Sequence, residues 1–96
     1  MKPLTESDIK DALTGELASW KWKDDKLHRS YTFGNFKEAI GFLVQIGFAA
    51  EAQAHHPEIF NVYNRVDISL TTHDADSRVT QKDVTLARSI EEIYRN

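Results

Sequence analysis

Ninety-six residues, 41% of them hydrophobic and ten aromatic, supply one core and predict a single domain spanning residues 1–96. At this length only about two-thirds of the chain's surface is buried on folding, so oligomerisation would add burial. Fifteen acidic against twelve basic residues leave a net charge of −3, with Lys and Arg scattered rather than grouped, which argues against a nucleic-acid partner; without cysteine there is no disulfide, thiol nucleophile or thiolate metal site.

The segment Met1–Glu6 is polar and has no signal-peptide core. The longest apolar stretch, Ala39 to Ala50, is interrupted by Gln45 and is shorter than the roughly 18 residues that span a bilayer. A soluble, cytoplasmic protein with no membrane partner is expected, and the absence of cysteine fits a reducing compartment.

Along the chain, Thr5-Glu6-Ser7-Asp8 resembles a capping box, with Asp where Glu is usual. Ile9, Ala12, Leu13 and Leu17 follow at helical spacing, which predicts a first helix over about 6–18 in spite of Gly15, costing roughly 1 kcal/mol. Trp20 to Lys23 reads as a short strand and Asp24-Asp25-Lys26 as a turn. Leu27, Arg29, Tyr31 and Phe33 alternate with His28, Ser30 and Thr32, the period of a half-buried strand, so the two strands make a hairpin.

Asn35 is a good N-cap for a second helix from Phe36 to about His55. Phe36, Ala39, Ile40, Leu43, Val44 and Gly47 form its apolar stripe, and Phe42, Ile46 and Phe48 widen it past one face, so this helix is central or touches another subunit. Pro57 disfavours the helical conformation at His56 and ends the helix there or just before. Val62, Asn64, Val66, Ile68 and Leu70 share one side of the next strand, with room for a short extra strand around Phe60 to Tyr63. Asp74 to Arg78 is a loop, and Thr80-x-x-Asp83 opens a last helix carrying Val84, Ala87, Ile90 and Tyr94. The order α-β-β-α-β-α predicts an α+β, two-layer sandwich: a mainly antiparallel sheet of three to four strands with the helices packed on one face.

Three of the four histidines lie between Glu51 and Asp83. Histidine gives and takes protons near neutral pH. Glu51 and His55 are four apart, hence neighbours on one helix face, and His55 would sit in a last turn whose carbonyls favour the imidazolium. His56 leaves the helix toward Pro57, so its ring can meet a different environment. Two imidazoles in different environments suit a site that donates one proton and accepts another. His73 could approach from the sheet side. His28, on the polar side of its strand, reads as structural. Glu51, His55, His56 and His73 also offer metal-ligand atoms, but adjacent histidines are awkward chelators and there is no HExxH pattern, so no metal is expected.

The string Glu51-x3-His55-His56-Pro57-Glu58-x-Phe60-Asn61-Val62-Tyr63-Asn64-x-Val66, then Thr72-His73-Asp74 and Thr80-x2-Asp83, resembles the pterin-4a-carbinolamine dehydratases. The likeness continues upstream through Trp20, Leu27, Arg29, Tyr31, Phe33, Phe36, Ala39 and Phe42. It implies a lyase that dehydrates 4a-hydroxytetrahydrobiopterin, or a related carbinolamine, to the quinonoid dihydropterin in tetrahydrobiopterin recycling, with no cofactor. By position, His55, His56 and His73 would be catalytic, and Glu51, Pro57, Thr72 and Asp74 would bind substrate. The small size of the chain and the apolar width of the second helix lead to the expectation of a homodimer or homotetramer. The alternative that the resemblance carries is a protein-binding dimerisation cofactor, coactivator-like, without essential catalysis. This chain departs from the family pattern at Ala54, at Ile59, and at Asp76-Ser77 where glycines are common.

Overall fold

The computed structural model describes residues 2–96; of the N-terminal segment read above, Met1 lies outside them. The elements run α1 (Glu6–Ala12), β1 (Lys21–Lys23), β2 (Lys26–Thr32), α2 (Phe36–Ala52), β3 (Glu58–Val62), β4 (Arg65–Leu70) and α3 (Gln81–Arg95), with single 3₁₀ turns at Gly15–Leu17 and His73–Ala75. All three helix starts follow the local sequence. Thr5 and Asp8 cap each other's end of α1, Asn35 Oδ1 accepts from Glu38 N–H at 2.9 Å, and Thr80 with Asp83 forms the box that opens α3.

The four strands are antiparallel in the order β1-β2-β4-β3. Asp24 and Asp25, both left-handed, make the two-residue turn between β1 and β2, where mirror-image turns match strand twist. Leu27, Tyr31, Val66, Ile68 and Leu70 turn to one face of the sheet and pack with Ile9, Leu17, Ile46, Leu86 and Ile90 in a single core. On the other face, the Ser30 hydroxyl donates to Asp67 at 2.7 Å and His28 Nδ1 lies 2.8 Å from Ser69 Oγ, so the structural reading of His28 agrees with its surroundings. This is the α+β sandwich expected, with helices on one face.

Four details differ from expectation. The first helix stops at Ala12, because Gly15 takes a left-handed conformation (φ 57°) that a helix does not accommodate, and its tail becomes the 3₁₀ turn. The single long strand after Pro57 is a hairpin: Tyr63 is left-handed (φ 51°), and Val62 pairs with Arg65 across the turn. The order is therefore α-β-β-α-β-β-α, and Val62 lies exposed instead of sharing the core side with Val66. Helix α2 ends at Ala52 and not near His55. Its buried face carries Ala39, Phe42, Ile46 and Ala50, whereas Phe36, Ile40, Val44 and Phe48 look outward, Phe48 with 74% of its surface exposed. An apolar residue on nearly every face leaves periodicity unable to say which face wins; α2 presents its small residues Ala39 and Ala50 to the core, permitting close approach.

Beneath the helices one carboxylate ties α3 to β2 and to the segment that precedes β1. Glu91, buried on α3, accepts at Oε1 from Trp20 Nε1 (3.1 Å), Arg29 Nε (3.1 Å) and Tyr31 OH (2.6 Å), and Arg95 lies 3.6 Å from Oε2. Desolvation by burial, then the hydrogen bond and charge of Glu91, push the Tyr31 phenol well above its ordinary pKa; Arg29 acts weakly the other way.

Candidate active site

The end of α2 sets the site. Ala54 takes a left-handed conformation (φ 52°), its N–H donates to Glu51 O, and His55 N–H donates to Ala50 O, each at 3.1 Å. These two bonds are the paired closure of a Schellman C-terminus, here without the usual glycine. The consequence is a correction to the sequence reading: His55 lies outside the helix, so it is neither the helical neighbour of Glu51 nor a member of the last turn. Glu51 reaches His56 instead, Oε1 to Nε2 at 2.8 Å, and both side chains are well exposed.

The sharp turn sends the two rings apart, as two environments require. His55 is buried against α3, its Nε2 2.6 Å from Asp83 Oδ1. Asp83 has no exposed surface, and its Oδ2 accepts from Thr80 N–H at 2.9 Å and from Thr72 Oγ1 at 2.8 Å. Thr72 Oγ1 lies 2.7 Å from Thr80 Oγ1. An ionised carboxylate only accepts hydrogen bonds, so beside it the neutral form of His55 is the tautomer in which Nε2–H donates and Nδ1 carries the lone pair. Burial in a low-dielectric setting strengthens each of these bonds.

The third histidine arrives from the β4–α3 connection. Thr72 N–H donates to Arg78 O at 3.1 Å, closing a tight loop in which Asp76 and Ser77 are both left-handed. Glycine adopts that conformation most readily, which accounts for the glycines common in the resembling sequences. His73 begins the 3₁₀ turn, is exposed, and sits 3.3 Å from Ser77 Oγ through Nδ1.

His55, His56 and His73 line one cavity of about 200 Å³, together with Thr72, Asp74 and Lys82. The end of the second helix and the Thr72–Asp74 corner thus share a cleft. Of the remaining candidates, Glu51 stands beside His56, half-buried Pro57 leads into β3, and neither lines the cavity; the Thr72 hydroxyl serves Asp83 and Thr80. Among the described residues, no three His, Asp or Glu side chains converge as a metal-binding group. In the sequence Asp83 reads as a capping residue and as part of the family string, with no partner at the site. A capping box occupies one carboxylate oxygen, and the second oxygen, left over on a residue facing the core, was the available hint.

The family model described as Pterin 4 alpha carbinolamine dehydratase matches residues 2–93. The chain belongs to that family. A relative from Opitutus terrae is 53% identical over 90 residues, covering 94% of this chain and 92% of its own. One from Christiangramia forsetii is 48% identical over 96 residues, covering 100% and 97%. Both carry the name "Putative pterin-4-alpha-carbinolamine dehydratase". A crystal structure from Brucella melitensis, titled transcriptional coactivator/pterin dehydratase, superposes with a TM-score of 0.88 at 42% identity, covering 95% of this chain and 97% of that one. A pterin dehydratase-like protein described as a RuBisCO assembly factor in the alpha-carboxysome shares the dehydratase fold, with a TM-score of 0.68 at 18% identity over 82% of this chain and 93% of its own. No helix is long and apolar enough to cross a membrane.

Proposed function

We propose that this chain dehydrates a pterin-4a-carbinolamine, 4a-hydroxytetrahydrobiopterin or a close relative, to the quinonoid dihydropterin by histidine general acid–base catalysis. Family membership supports the reaction class. The observation that carries the mechanism is the meeting of three imidazoles at one cavity, one buried and fixed by Asp83, the others exposed.

The reaction needs no oxidant. The C4a–O bond breaks with its electrons on oxygen, which takes a proton and leaves as water. The N5 proton departs, and the electrons it leaves form the new C4a–N5 double bond. In this reading His55 is the base: Nδ1 holds the lone pair, and Asp83 stabilises the imidazolium once the proton arrives. His56 or His73, open to solvent, protonates the leaving hydroxyl. Glu51 orients His56, Asp74 hydrogen-bonds the pterin beside His73, Thr72 supports the site through Asp83, and Pro57 fixes the direction in which the chain leaves His56. Each proton transfer of this kind is worth about 10²–10⁴ in rate. The test is loss of the carbinolamine followed by absorbance: His55→Ala and His73→Ala each slow it at least tenfold, and a wild-type rate equal to buffer would overturn the assignment.

A separate surface supports partners. The outward residues Phe36, Ile40, Val44 and Phe48 make a contiguous apolar row along α2, and β3 leaves one edge unpaired. A second copy covers them in a cytoplasmic homodimer or homotetramer; a heterologous protein, as the coactivator title of the Brucella melitensis structure suggests, is the alternative occupant. Light scattering checks this: a dimer or tetramer that Phe48→Glu dissociates is expected, and a wild-type monomer overturns it.

A further inference from the structure

The histidine cavity adjoins a second one of about 310 Å³, and the two share His55 and Lys82 in their walls. Gln53, Gln81 and Thr85 complete the second. We infer that this second cavity receives the substituent carried by the pterin ring, and that Lys82 favours substituents ending in an anion, a phosphate or carboxylate. The inference rests on the pterin reading above but does not depend on which histidine moves which proton.

Size gives the first argument. Small-molecule sites occupy about 300–1,000 Å³, and the histidine cavity alone, at about 200 Å³, falls below that range. The adjoining space brings the combined cleft within it. A ring seated against the histidines would therefore have its substituent directed past His55.

Charge gives the second. Lys82 is half-buried at the junction, and among the described residues its ammonium forms no ion pair and donates no hydrogen bond. Asp83, next to it in sequence, makes no ion pair with it: its two oxygens accept from His55, Thr72 and Thr80 instead. The amides beside it are engaged as well: Gln53 Nε2 donates to Ser89 Oγ at 2.8 Å and Gln81 Nε2 to Thr85 Oγ1 at 3.3 Å. The ammonium is thus the one cation at the junction with all three donors free. Asp74 lines the histidine cavity and not the second, which makes the second the more favourable of the two for an anion.

The decisive measurement is equilibrium binding, read by calorimetry, of two tetrahydropterins that differ by one group: a 6-hydroxymethyl compound and its phosphate ester. Hydrogen bonds to a charged group predict that the phosphate binds about tenfold more tightly at low ionic strength. In Lys82→Met the two Kd values converge, and in Lys82→Arg the difference returns. Equal Kd values in the wild type, a difference that persists in Lys82→Met, or no binding of either compound would overturn the inference. Because binding is read without turnover, a dehydration assay that fails sinks the catalytic reading alone, and equal Kd values sink this one alone.

Discussion

Replacing Asp83 with Asn tests the centre of the proposed mechanism while barely changing shape. The native carboxylate accepts on both oxygens, from His55 at 2.6 Å on one and from Thr80 N–H and Thr72 OH on the other. An Asn side chain has one acceptor and one donor group. The Thr80 N–H can only donate, so the amide oxygen turns to it and the NH₂ faces His55 Nε2. That nitrogen must then accept, which moves the ring proton to Nδ1 and removes the lone pair that the base requires. A general base contributes about 10²–10⁴ in rate, so kcat should fall about a hundredfold with KM changed no more than a few-fold. The cap bonds from Thr80 and Thr72 survive, so stability should drop by only about 1–2 kcal/mol, the charge-assisted part of the network. Asp83→Ala, which strands the buried imidazole and both threonines, should cost about 3 kcal/mol or more. Stopped-flow dehydration gives the rate, and ¹⁵N correlation spectra of the imidazoles report which nitrogen bears the proton. A folded Asp83→Asn protein that keeps His55 protonated at Nε2, or turns over within threefold of wild type, would refute the reasoning.

Other consequences follow from the same geometry. Burial and Glu91 raise the folded pKa of Tyr31, so its contribution to stability is full below the unfolded tyrosine pKa of about 10 and is lost as pH climbs beyond it, by about 1.4 kcal/mol per pH unit. Urea unfolding between pH 9 and 11 should therefore show a shallower alkaline decline in Tyr31→Phe than in wild type; parallel curves would contradict the linkage. Ala54→Gly relieves a left-handed alanine, worth about 1–2 kcal/mol, against the added flexibility of the unfolded chain, and should raise stability by about 0.5–1 kcal/mol in denaturant melts. Glu91→Ala leaves Trp20, Arg29 and Tyr31 facing an empty site, and should cost about 3–5 kcal/mol and lower Tm by more than about 12 °C by calorimetry. Glu91 lines neither cavity, so at a temperature where that variant is folded its dehydration rate should match wild type.

What the sequence discloses here follows the range of the interaction. Caps act over three residues, so Thr5, Asn35 and Thr80 announce their helices before any packing is known. Alternation in β2 works as well, because that strand has one wet face and one dry one. Chain reversals are harder where Ala54 and Tyr63 occupy left-handed positions: neither is the glycine that would mark a stop, so α2 reads too long and the β3–β4 hairpin reads as one strand. The same misplaced stop hides the pairing at the site. With α2 continued to His55, Glu51 seems to belong to that ring; once the chain turns at Ala54, Glu51 meets His56 and His55 swings in to Asp83, 28 residues further on. Asp83 is invisible as a partner for a different reason. Its cap role explains its presence completely, and only the fold reveals that the oxygen which caps α3 belongs to a carboxylate whose other oxygen holds the buried histidine. One side chain therefore starts the last helix and holds a histidine that lies just past the end of the second, so folding of α3 and the placement of His55 are linked through a single carboxylate.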